Sequence, residues 1–142
     1  MQVAVGMELP RWEVPAVSAE KMKTIAALLA DPNPIHWDTA AVAALGMGDR
    51  PVNQGPLNMA YVMNMLATWC GGHDRLRTFR VRFLGAVFAG DRLVAGGVVT
   101  AVRNEDGVRV ADCDVFLSVV DGDVVLKGVA TVVLDTDEEE SP

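Results

Sequence analysis

An acid and a histidine five positions apart, Asp31 and His36, share the stretch Asp31-Pro32-Asn33-Pro34-Ile35-His36-Trp37-Asp38. Asp31 and Asn33 each precede a proline, which steers both away from the right-handed helical region. A helix arriving from upstream should stop near Ala30, leaving these side chains on a short, stiff loop. A carboxylate and an imidazole held in fixed relation are what general acid–base chemistry needs. The bland alternative is a loop acid hydrogen-bonded to a surface imidazole. Asp38 is read as a helix cap and not as a catalyst.

The elements on either side must position that loop. Ser18 is placed as an N-cap with Glu20 in the first turn, and Val17 and Met22 fit a hydrophobic staple. The helix Ala19–Ala30 then carries Met22, Ile25, Ala26 and Leu29 on one face. Beyond the loop, Asp38 caps a short helix Thr39–Leu45, with Trp37 and Val42 as a second staple and Gly46 as its stop. A turn-rich link, Gly46–Asn53, reads as a flap. Pro56–Cys70 holds no charge and is apolar on every side, so it should be a buried helix, opened by Gly55-Pro56 and closed by Gly71-Gly72.

The rest reads as strands: a short one near Arg11–Val14, then four after the helix in a meander. Phe79, Val81 and Phe83 alternate with Arg80 and Arg82, a half-buried pattern. Asp91–Val102 and Val108–Val120 join across Asn104-Glu105-Asp106-Gly107, and Asp121-Gly122 leads into Asp123–Leu134.

Composition excludes several roles. A net charge of −7 opposes nucleic acid as a partner. Hydrophobic residues make up 51% of the 142, enough for a core and for apolar surface buried between subunits. The longest uncharged run, Pro51–His73, is broken at Gly55-Pro56, leaving ~15 residues of helix, or ~22 Å, against ~30 Å of hydrocarbon. No membrane span and no signal peptide are visible, so cytoplasm is the default. Cys70 and Cys113 lack metal or redox spacing, and with His36 and His73 as the only histidines no metal site is expected.

With these residues in order, the chain resembles the MaoC-like, or (R)-specific, enoyl-CoA hydratases of the hotdog fold. Asp31-x-Asn33-Pro34-x-His36 resembles their hydratase motif, and Gly55 the glycine of a later His-Gly. Arg82-Phe83-Leu84 followed by Ala89-Gly90-Asp91 resembles their first long strand and its turn. The likeness runs from about Ser18 to about Thr100. One departure stands out: Gln54 occupies the place of the family's histidine.

The resemblance implies an α+β hotdog fold, with an antiparallel sheet wrapped around a long central helix. Residues 1–134 would form one domain, and the acidic stretch 135–142 reads as disordered. It implies hydration of a trans-2-enoyl thioester, reversible as dehydration of a 3-hydroxyacyl thioester. Asp31 and His36 would be catalytic, with their acid and base roles undivided. Asn33, Gln54 and Gly55 would bind substrate, and Asn33 would orient either the loop or the substrate. The Gly55 N–H, at a helix N-terminus, suits the thioester oxygen as charge develops there.

No cofactor is expected beyond the coenzyme A of the substrate, and a carrier-protein thioester is equally open. The implied partner is a second hotdog chain, like or unlike. Two other readings stand beside this one. One is a non-catalytic or co-catalytic subunit of a heteromeric MaoC-type hydratase for steroid or long-chain acyl groups, which Gln54 favours. The other is a hotdog thioesterase. Tyr61, Asn64 and Thr68 follow helical spacing and read either as buried groups with local partners or as the lining of an acyl tunnel. Arg75, Arg77, Arg80 and Arg82 read as a solvated strand face or as contacts to coenzyme A phosphates.

Overall fold

The computed structural model describes residues 2–134. The acidic stretch read as disordered lies outside the described residues. The elements are β1 (Trp12–Val14), α1 (Ala19–Leu28), a 3-10 turn (Pro34–His36), α2 (Thr39–Ala44), α3 (Gly55–Cys70), a second 3-10 turn (His73–Arg75), β2 (Leu76–Phe83), β3 (Leu93–Glu105), β4 (Val108–Val119) and β5 (Val124–Val133).

All strands pair antiparallel in one sheet of order β1-β3-β4-β5-β2. The sheet curls around α3, whose Val62, Met65, Leu66 and Cys70 are buried against it. This is an α+β hotdog architecture. Because α3 carries no charge, its buried face needs no ion-pair partner, and each methylene it buries contributes about 0.8 kcal/mol. Met59, Tyr61, Met63 and Trp69 are only half-buried on its other sides. No helix among the described residues is long and apolar enough to cross a membrane.

One part of the expected topology needs correction. Only β3, β4 and β5 form a meander, with Asp106 and Gly107 at positive φ in the first hairpin turn. β2 does not precede β3 in the sheet; it pairs with β5 at the far edge. The link after β2 is tied elsewhere and so cannot fold back as a hairpin. Leu84 N–H donates to the Val125 carbonyl at 2.8 Å, Ala89 N–H to Pro51 at 2.9 Å and Gly90 N–H to Val17 at 2.8 Å. That link passes beneath the segment leading into α3, which matters for the site.

Local chemistry explains the helix ends. Ser18 Oγ accepts from the Lys21 N–H, and Val17 and Met22 are both buried, as a staple requires. Asp38 Oδ1 accepts from the Ala40 and Ala41 N–H groups at 2.9 and 3.4 Å and caps α2. Its supposed staple is incomplete, since Val42 is buried but Trp37 is exposed. α1 ends at Leu28, earlier than its apolar pattern suggests, and Leu29 turns out to solvent. Gly71, left-handed at φ +99°, closes α3.

Candidate active site

The end of α1 delivers the acid. Asp31 N–H donates to the Ala26 carbonyl at 3.0 Å and Ala30 N–H to Ala27 at 3.3 Å, the bonding pattern of a Schellman cap. The left-handed position of that cap is normally glycine; here it is Ala30, at φ +51°. An L residue held there carries roughly 1–2 kcal/mol of strain. The strained residue immediately precedes Asp31.

The two prolines then do what their chemistry dictates. Asp31 Oδ1 accepts the Asn33 N–H at 3.0 Å, and Asn33 Oδ1 accepts the Ile35 N–H at 3.3 Å. Asn33 thus caps the 3-10 turn that Pro34 opens. It orients the loop, and the turn swings His36 inward until it is 8% exposed.

His36 is fixed on both sides of its ring. Nδ1 lies 2.6 Å from the Val52 carbonyl oxygen. A carbonyl can only accept, so the proton sits on Nδ1. Nε2 is left facing Asp31 Oδ2 at 3.2 Å. The return contact, Val52 N–H to the Ile35 carbonyl at 2.9 Å, locks the loop to the segment before α3.

That segment, Val52-Asn53-Gln54, is buried throughout. Asn53 N–H donates to the Val87 carbonyl at 2.7 Å, and its side chain donates to Asn58 Oδ1 at 2.8 Å, in the first turns of α3. Tyr61 lies beside this pair, its phenol pushed above its usual range by burial, so it stays neutral. Gln54, expected among the substrate-binding residues, is 1% exposed, and its Nε2 donates to the Met22 carbonyl at 2.7 Å. It joins α1 to the start of α3. Oε1 of Gln54 and Oδ1 of Asn53 have no partner among the described residues.

Gly55 is the first residue of α3, and the Gln54 carbonyl accepts from Leu57 and Asn58 behind it. Gly55 is three steps along the chain from Val52, so its N–H lies no more than ~11 Å of chain from the carbonyl that holds His36. A Cβ on Gly55 would stand 3.1 Å from Cζ of Phe83, whose ring is half-exposed and walls this helix end.

Asp31, Asn33 and His36 are therefore in direct contact, while Gly55 is joined to them through Val52–Gln54. Sequence reasoning missed Val52, Asn53, Asn58 and Phe83. Only Asn53 and Asn58 left a signal, as polar residues flanking an apolar helix start. His73 lies apart, exposed beside Asn64, with its Nε2 3.3 Å from Asn64 Oδ1. Arg77 pairs with Glu105, and Arg80 and Arg82 are exposed on β2.

The MaoC like domain family matches residues 3–119. The chain belongs to this family. The MaoC-like family is one of hydratases and dehydratases. Among solved structures, an (R)-hydratase from A. caviae involved in PHA biosynthesis is 27% identical with TM-score 0.81, over 94% of this chain and 98% of that one. R-hydratase PhaJ1 from Pseudomonas aeruginosa is 20% identical, with TM-score 0.79 over 99% of this chain and 90% of that one. The ChsH1-ChsH2 complex from Mycobacterium tuberculosis is 17% identical, with TM-score 0.79 over 94% of this chain and 100% of that one. At these last two identities the likeness is one of fold. No curated protein matches the chain by sequence.

Proposed function

We propose that this MaoC-like chain is an enoyl-thioester hydratase, acting reversibly as a 3-hydroxyacyl-thioester dehydratase. The observation that carries the reading is the Asp31–His36 contact, 3.2 Å from Oδ2 to Nε2, with the other ring nitrogen committed to a backbone carbonyl. With Nδ1 occupied, Nε2 is the ring atom free to exchange a proton, and it does so beside a carboxylate. One water bound by both supplies the hydroxyl that adds to C3. Its proton passes to the pair, and a proton from the pair goes to C2. Either member of the pair can take either part.

Charge develops on the thioester oxygen as the enolate forms. The Gly55 N–H at the start of the 16-residue helix α3 is the donor for it. Losing one such donor costs ~2.7–4 kcal/mol of barrier in a well-studied hydrolase. Pro56 has no N–H and takes no part. Asn33 and Gln54 serve from behind, Asn33 by shaping the loop and Gln54 by tying α1 to α3.

The substrate is a trans-2-enoyl thioester of coenzyme A or a carrier protein, no further cofactor is used, and the setting is cytoplasmic. The chain works paired with a second hotdog chain, like or unlike. The test is loss of enoyl absorbance on mixing the purified chain with short, long and steroid-type enoyl-CoAs. Release of free thiol instead would mark a thioesterase, and an inert chain that gains activity with an unlike hotdog subunit would mark a non-catalytic partner.

A further inference from the structure

One cavity lies away from Asp31 and His36. It is a groove of about 810 Å³ across the outer face of the sheet, the side turned away from α3. The strand register gives its layout. Gly96, Phe116, Lys127 and Arg82 stand opposite one another on β3, β4, β5 and β2. Val98, Asp114, Val129 and Arg80 form the next outward row. Backbone of Gly97, Val115 and Gly128, whose side-chain positions face the core, forms the floor between the two rows, and the Phe116 ring lies over Gly96.

The outer face has two unlike ends. At one, charges are satisfied within the chain: Arg103 grips Asp112 at 2.8 and 3.1 Å, Thr131 Oγ1 donates to Asp112 at 2.7 Å, and Glu105 takes both Arg103 and Arg77. At the groove, Glu8, Asp114, Lys127 and Arg82 surround Val98, Phe116, Val129 and Leu84. None of those four charges has an ion-pair partner among the described residues. Val129 and Leu84 are about half exposed, on a face that an antiparallel sheet would otherwise give to polar residues.

The pattern is self-complementary. On adjacent antiparallel strands, Asp114 and Lys127 occupy one diagonal of a rectangle, and Phe116 and Val129 the other. Lay a second copy face to face, with a two-fold axis along the Phe116–Val129 diagonal. Asp114 then meets the partner's Lys127, and Lys127 the partner's Asp114. Phe116 and Val129 fall on their own counterparts along the axis, giving an apolar centre with a charged rim. Glu8 and Arg82 extend the same acid-to-base direction. Strands of the two sheets cross steeply, within the orthogonal class of sheet packing.

We propose that this groove is where two copies of the chain associate, outer sheet against outer sheet, about that axis. The contact joins two units of whatever size the chain otherwise forms, so its loss halves the mass. The test is sedimentation velocity of the full chain at micromolar concentration, with Asp114→Lys and Lys127→Asp singly and together. Each single variant sets like charges opposite one another, so its dissociation constant should rise at least ~10-fold. The double variant restores opposite charges and should regain the parental mass. All three should melt near the parent and retain its turnover, because none touches Asp31, His36 or Gly55. Single variants that keep the parental mass would overturn the proposal. So would a double variant as dissociated as the singles, or a parent whose mass shows no association for these changes to break.

Discussion

Nδ1 of His36 and the carbonyl oxygen of Val52 are 2.6 Å apart, and this one contact decides which ring nitrogen faces Asp31. It also makes the site depend on the buried segment Val52–Gln54, which continues directly into Gly55 and α3.

Asn53 is the first residue to test on that account. Asn53→Ala leaves the Asn58 carbonyl without its donor, an unsatisfied group costing ~1–3 kcal/mol. Turnover should fall more than KM rises, because the segment holding His36 loosens while the substrate's surroundings persist. Steady-state kinetics on the folded variant separate the two. Equal losses in kcat and kcat/KM, with a melting temperature lowered by a few degrees, would fit; a change in KM alone would not.

Ala30→Gly should stabilise the chain. It removes roughly 1–2 kcal/mol of left-handed strain and adds about 0.5–1 kcal/mol of backbone entropy cost, leaving a net gain of ~0.5–1 kcal/mol. Urea unfolding measures it, and a loss of stability would show that the cap is not strained.

Gly55→Ala puts a methyl within 3.1 Å of the Phe83 ring. The ring is half-exposed and can give way, so the fold should survive with a melting temperature close to the parent's. Turnover should fall further than stability, because the methyl and the shifted ring crowd the helix end that the proposed mechanism assigns to the thioester oxygen.

Stability should also decline at high pH. Burial, reinforced by Asp112 and Asp114, pushes the Cys113 thiol up to about 12 from its usual 9.0. The raised value means the folded chain holds the proton more tightly. That contribution is full below pH 9 and is lost as pH climbs toward 12. Comparing urea midpoints at pH 7 and pH 10, the parent should lose more than Cys113→Val. An equal loss in both would exclude the thiol as the cause.

Much of this was legible wherever the determining chemistry is local. Ser18, Asp38 and Gly71 mark helix ends through their own hydrogen bonds or backbone freedom, and Asp106-Gly107 names its turn. The Asp31–His36 contact was legible because two prolines leave the loop few conformations. What escaped was non-local. β2 joins β5 because the link behind it is bound to Pro51 and Val17, partners far away in sequence. The tautomer of His36 is set by a backbone carbonyl, which any residue at position 52 would supply. Phe83 alternated as a core residue but caps Gly55 instead, and Leu29 left the buried face when α1 ended early.

The central claim is that Asp31 and His36 together hydrate an enoyl thioester. Its most direct test is the rate of enoyl absorbance loss for the parent, Asp31→Asn, His36→Ala, their double variant and Asp38→Ala. Each single change at the pair should lower turnover at least ~100-fold, and the double should be little worse, since both act on one water. Asp38→Ala should lose ~1 kcal/mol of stability and keep its turnover, because Asp38 only caps α2. A parent-like rate for Asp31→Asn, or loss of activity in Asp38→Ala alone, would contradict the account.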